Sequence, residues 1–276
     1  MKTSEIGQYV DQLLEMVINE TIPKGPHRGS IFGLVDSVYS REGCDKRVVV
    51  FGGGTGLSTV VGGNSRLAEW PENPFVGLKQ EFSTMDVVVC TTDDGGSTGL
   101  LLKELPMIGI GDFRKVLLSL ILSENLQETY GLDDVATGQL VRAIHAVFNY
   151  RFPEGFRKFR CVANPLLLLP QDLRKTVPRP LSNLLISLGT YISQGGDGPT
   201  ISPGGHCLGN LMLTSAIFKS AGRTIDHPPG LAAITEGIEL LSRAIGVPPG
   251  TLHPATATPG QLVLRYSNGV AVRGQD

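Results

Sequence analysis

Basic charge is scarce and scattered: 24 Lys and Arg against 26 Asp and Glu leave a formal net charge of −2, and no segment collects cations into a stripe. The electrostatic footprint of a nucleic-acid binder is missing, so no nucleic-acid partner is expected. Cysteine is also sparse. Cys44, Cys90, Cys161 and Cys207 lie far apart with no CxxC pair, which suits neither a zinc site nor a disulfide scaffold and points to reduced thiols. No apolar run approaches the roughly 18 residues of a spanning helix, and the first twenty residues are broken by acids where a signal peptide needs an apolar core. A cytoplasmic protein without a membrane partner is therefore expected. Apolar residues, by contrast, make up 41% of 276 positions, enough to bury a substantial core in one large domain or two small ones.

Near the start, Ile6, Val10, Leu13, Leu14 and Val17 recur at helical spacing, and a Gly/Pro-containing link follows over 23–29. Residues 1–46 thus read as a helical arm and linker, free to pack on the domain or on a second copy in a homodimer. The domain over 47–276 opens with the β-branched run Val48-Val49-Val50-Phe51, which breaks into Gly52-Gly53-Gly54-Thr55-Gly56 and a helix-like stretch. A second buried strand over 85–91 ends at once in Thr92-Asp93-Asp94-Gly95-Gly96-Ser97. This alternation predicts an α/β fold with a mostly parallel sheet, in which both loops lie at the carboxyl edge where ligands of such sheets bind. Helices are predicted over 113–122, 135–148, 181–193, 208–219 and 231–245. The stretch 150–205 reads as loop-rich with one helix, and as an insertion. Ser267-Asn268-Gly269 between 261–266 and 270–273 is a hairpin signal.

A GGGTG loop can turn its N–H groups toward a phosphate, with the next helix adding the positive end of its dipole. A tight strand-to-helix turn without a ligand is the alternative. The loop lacks the GxGxxG and GK[ST] patterns of named cofactors. Asp93 and Asp94 offer hard oxygens suited to Mg²⁺, or a carboxylate that orients a hydroxyl, while an Asx-turn explains at least one of them. Asp112 is expected to cap the helix it opens, with Arg114 and Lys115 offering charge to a phosphate. His206 and Asn210 stand one turn apart on one helix face. No Ser-His-Asp triad or histidine metal cluster has the required spacing.

Taken in order, VVVFGGGTGLST, TTDDGGSTGLLLKEL, GDFRK, GGHCLGN and Leu252-His253-Pro254-Ala255-Thr256 ahead of a hairpin ending in Val272-Arg273-Gly274 resemble the CofD/YvcK family over roughly 47–276. The resemblance implies a Rossmann-like three-layer sandwich. It implies that Gly52, Gly53, Gly54, Thr55, Gly56 and Ser97 touch a nucleotide or its phosphates, that Asp93 and Asp94 serve metal or acceptor, and that Asp112, Arg114, His206 and Asn210 form the site wall. CofD proteins are Mg²⁺-dependent transferases that move a phospholactyl group from a guanosine diphosphate-type donor to a deazaflavin hydroxyl, whereas YvcK proteins are linked to gluconeogenic growth and wall synthesis and bind a UDP-sugar. The motif spelling is closer to the YvcK branch, so binding of a nucleotide or nucleotide-sugar with a regulatory role is expected first. A 2-phospho-L-lactate transferase-type activity comes next, and an inactive truncated relative last. Three departures accompany the resemblance: the family's C-terminal segment with a Gly-Pro-Gly-Ser-type loop is expected to be missing, 150–205 is expected to be an insertion, and Lys115 stands where the motif has Asn.

Overall fold

The β-branched run 48–51 forms the first strand of a parallel sheet whose carboxyl edge carries both glycine-flanked loops. The structure, a computed structural model, describes residues 46–193, 199–222 and 226–274. The chain divides into a unit over 1–46 and one over 47–276; the helix expected within the first lies outside the described residues. The fold is α/β. Strand β1 (Arg47–Gly52) pairs in parallel with β2 (Thr84–Val89), from Arg47 opposite Thr84 to Gly52 opposite Val89. β2 pairs on its other side with β3 (Leu252–Pro254), also in parallel, so β2 is central. Met85, Val87 and Val89 alternate into the core, as a period of two requires. Among the described residues β1 is an edge strand, and its Val49 and Phe51 are exposed.

Helix α1 (Gly54–Gly62) follows β1, and α2 (Gly96–Glu104) follows β2. A largely helical stretch comes next: α3 (Gly111–Ser119), α4 (Ser123–Tyr130), α5 (Asp134–Asn149), α6 (Arg179–Ser193), α7 (Leu208–Ala221) and α8 (Leu231–Ala244). Asp133 caps α5 by accepting the N–H of Ala136 at 2.8 Å. Every residue of α7 from Leu208 to Phe218 is buried, so this helix is wrapped on all sides, and its mostly apolar sequence, broken by Asn210, Thr214 and Ser215, follows from that. The segment 150–205 holds more helix than its sequence suggests, with turns at Arg160–Ala163, Pro165–Leu168 and Gln171–Thr176 ahead of α6. It is tied into the domain: Phe152 N–H donates to His206 O at 2.9 Å and Leu208 N–H to Tyr150 O at 2.8 Å, around a bridge between Arg151 and Cys207. At the C-terminal side β4 (Val263–Arg265) and β5 (Ala271–Arg273) form the expected antiparallel hairpin. Among the described residues no helix is long and apolar enough to cross a membrane.

Candidate functional site

The two loops lie side by side, since Cys90 N–H donates to Gly52 O at 2.7 Å just past the strand ends. Gly53, the N-cap position of α1, has no side chain to satisfy the helix's first amides. Asp112 supplies one from outside: its Oδ2 accepts the Gly54 N–H at 2.5 Å, and Lys115 Nζ donates to its Oδ1 at 2.8 Å. A carboxylate there gains both a charge-assisted hydrogen bond and the helix dipole. Asp112 therefore caps α1 and not, as its sequence position suggests, its own helix, whose N-cap is Ile110 with no side-chain bond. Lys115, the departure from the motif's Asn, balances the Asp112 charge.

The second loop is held more tightly. Asp93 Oδ2 accepts from Thr98 Oγ1 at 2.9 Å, and its carboxylate also accepts from the Gly95 backbone, the Asx-turn role foreseen for one of the pair. Burial pushes the Asp93 carboxyl up from its ordinary value, and the nearby Asp112 charge adds to this, while Thr98 and Lys115 pull it down. Three glycines surround the loop at close range. A Cβ on Gly99 would fall 2.2 Å from Asp94 O, one on Gly109 2.2 Å from Asp93 O, and one on Gly111 2.2 Å from Asp93 Oδ2. Asp94 Oδ1 is buried without a hydrogen-bond partner.

Behind the aspartates runs a buried polar network. Ser97 Oγ accepts from Cys207 N–H at 2.9 Å and from Asn210 Nδ2 at 3.2 Å, and Asn210 Oδ1 accepts from Arg114 Nε at 3.0 Å. Arg114 Nη1 turns to Phe148 O and Asn149 Oδ1. Arg114, which the sequence offers to a phosphate, is 6% exposed with its donors aimed at the interior, and Ser97, Asn210 and His206 are equally buried. These residues back the wall and do not face the cleft. Burial holds the His206 imidazole below its ordinary value, and its Nδ1 has no partner.

Beside the aspartate loop opens a cleft of about 750 Å³. Asp94, Gly96 and Gly99 form one side; Arg151, Glu154, Gly155, Arg157 and Gly204-Gly205 the other; Gln261 and Gly274, the roots of the hairpin, a third. Lys103 completes it, so three cations face two carboxylates. None of Lys103, Arg151 and Arg157 figures in the sequence reading. Lys103 was findable, because Gly96, Gly99 and Lys103 fall at i, i+3 and i+7 of one helix face. Arg151 and Arg157 reach the cleft only through the pairing of 150–152 with 206–208. The residues 52–56 do not line it. Among the described residues no three His, Cys, Asp or Glu side chains cluster as a metal cage. Asp94, with one buried oxygen unpartnered, offers a single hard oxygen of the kind that Mg²⁺ takes.

The family described as 2-phospho-L-lactate transferase CofD matches residues 48–276. The gluconeogenesis factor of Halalkalibacterium halodurans is 31% identical over 233 residues, which cover 79% of this chain and 61% of that protein. The gluconeogenesis factor of Listeria monocytogenes is 35% identical over 74 residues, 27% of this chain and 19% of that protein. The crystal structure of a UPF0052 family member from Bacillus halodurans aligns over 83% of this chain and 46% of that one, at 20% identity and a TM-score of 0.42. This chain thus spans less than two thirds of the length of these proteins. With the family matched from the first strand through the hairpin, the chain belongs to the CofD family.

Proposed function

We propose that the cleft binds the phosphorylated part of a nucleotide or nucleotide-sugar, and that the chain acts as a ligand-responsive regulator in central carbon or cell-envelope metabolism. The observation that carries the reading is Asp94 Oδ1, buried at the cleft without a partner. A buried carboxylate oxygen is costly to leave unsatisfied. A magnesium–phosphate group entering the cleft relieves that cost. Asp94 would hold the metal, and bound Mg²⁺ would neutralise charge on the phosphates. The names of the two gluconeogenesis factors support the regulatory role.

A second reading, a transferase of the 2-phospho-L-lactate type, is favoured by the pairing of Asp94 at the cleft with Asp93 directly before it, whose carboxyl burial pushes up. A carboxylate so placed can take the proton of an acceptor hydroxyl as that oxygen forms a bond to phosphorus. The bond from that phosphorus to the nucleotide's own phosphate then breaks, and a nucleoside monophosphate leaves.

A thermal-shift screen with GDP, UDP and UDP-sugars, with and without Mg²⁺, tests the first reading, because a ligand selective for the native state raises its stability by RT ln(1 + [L]/Kd). A Mg²⁺-dependent shift that disappears in Asp94→Asn is expected. No shift with any of these ligands at millimolar concentration sinks it. Release of nucleoside monophosphate when an acceptor is added would move the second reading ahead of the first.

A further inference from the structure

We infer that the ligand's phosphates are gripped by the cationic wall of Lys103, Arg151 and Arg157, not by the glycine loop after β1, and that the cleft therefore prefers a diphosphate to a monophosphate. The inference rests on the proposal that the cleft binds a phosphorylated ligand. It starts from the loop that sequence favours. The N-terminus of α1 already has an anion: Asp112 Oδ2 takes the Gly54 N–H at 2.5 Å and lies, 6% exposed, against Lys115. A phosphate approaching that amide meets a fixed negative charge.

The rest of the cleft is mainly cationic, with Lys103 on α2 and Arg151 and Arg157 beside Glu154. No described carboxylate pairs with Lys103, Arg151 or Arg157, although six other pairs involving Arg, Lys or His occur among the described residues. Among the described residues each guanidinium has one hydrogen bond that aims it and leaves most of its donors free: Arg151 Nη1 to Gly205 O at 3.3 Å, and Arg157 Nη1 to Ser202 Oγ at 2.5 Å. The backbone at Arg151 is firmly held. Arg151 sits in the bridge to Cys207, Phe152 beside it is buried, and Cys207 N–H is pinned to Ser97 Oγ. Planar, pre-aimed forks of this kind suit phosphate oxygens. Glycines at 96, 99, 155, 204 and 205 line the same cleft and leave room for close approach. Asp94 with its cation and the three basic side chains would then share the phosphates between them, an arrangement that two phosphates fill better than one.

The test uses the full chain and calorimetric titration with UDP, UMP and inorganic pyrophosphate in the presence of Mg²⁺. The wild type is expected to bind UDP at least roughly tenfold tighter than UMP, with affinity falling as salt rises. Arg151→Gln with Arg157→Gln should weaken UDP and pyrophosphate by roughly tenfold or more, since charge-assisted bonds are lost. Gly56→Ala, whose added Cβ meets no atom within 4 Å, should leave both affinities unchanged. If the double variant keeps wild-type affinity while Gly56→Ala loses it, the glycine loop holds the phosphates and the inference is overturned. If pyrophosphate binds through the arginines but no nucleotide does, the cationic wall stands and the proposed function falls. If the wild type binds neither, both fall.

Discussion

The loop after β1 and the loop after β2 look alike in sequence, each a glycine-flanked break between strand and helix, yet they are built oppositely. In the first, the glycines at 54 and 56 face open space, a Cβ on Gly53 would meet Asp112 and Cys90 side chains at 2.8 Å, and the Gly54 amide is plugged by Asp112. In the second, the necessary glycines lie mostly outside the motif, at 99, 109 and 111, where each abuts an aspartate, while Asp94 keeps an unpartnered oxygen. Glycine density in a loop therefore marks backbone freedom. Glycine crowded from outside marks where a functional side chain is held.

Breaking the contrast at its most crowded point should have the largest effect. Gly109→Ala forces a Cβ to within 2.2 Å of a backbone oxygen, and such overpacking should cost about 3 kcal/mol or abolish folding, as read by urea unfolding. Asp112→Ala opens the plugged loop and should cost about 2 kcal/mol, because a charge-assisted cap is lost and Lys115 is left unpaired; intact stability would mean the plug is incidental. Asp94→Asn should weaken Mg²⁺-dependent ligand binding by roughly tenfold or more, about 1.4 kcal/mol, with little change in Tm.

Asp93→Asn should raise Tm near neutral pH, by less than Asp112→Ala lowers it. The sign follows from linkage. A carboxyl whose folded pKa lies above its unfolded value binds its proton more tightly in the native state, so its contribution falls as pH rises from the ordinary aspartate value through the raised one. The gap between variant and wild type should accordingly be small near about pH 4 and widen to a plateau toward neutrality. A gap independent of pH would show that Asp93 is not strained by burial. The smallest effect belongs to Gly56→Ala, which should change stability by less than about 1 kcal/mol, and toward higher Tm if at all, since alanine suits the first turn of α1 better.

Much of this contrast was visible in the sequence. The runs 48–51 and 85–91 and the loops that end them were readable because buried parallel strands are continuously apolar and break abruptly. The hairpin followed from Asn268-Gly269, the helix over 135–148 from its periodicity, and that over 208–219 from an apolar run too long for a strand. α4 escaped because Leu126 is its one buried residue, too little to make a stripe. β3 escaped because three residues carry no period. The role of Asp112 was misread for a physical reason: at a helix start a carboxylate normally serves its own first turn, and only the approach of α3 to β1 turns it toward Gly54. The basic side of the cleft depends on the pairing of 150–152 with 206–208, which no local pattern announces.

That pairing divides two kinds of inheritance. Phe152 and Cys207 point into the core from the same short ladder that carries Arg151 outward, so the outward positions can drift without disturbing the packing beneath them. A lineage carrying this scaffold can therefore change the charge at the cleft through solvent-facing substitutions, each near neutral for stability. The aspartate loop, walled by glycines that tolerate no added atom, stays frozen.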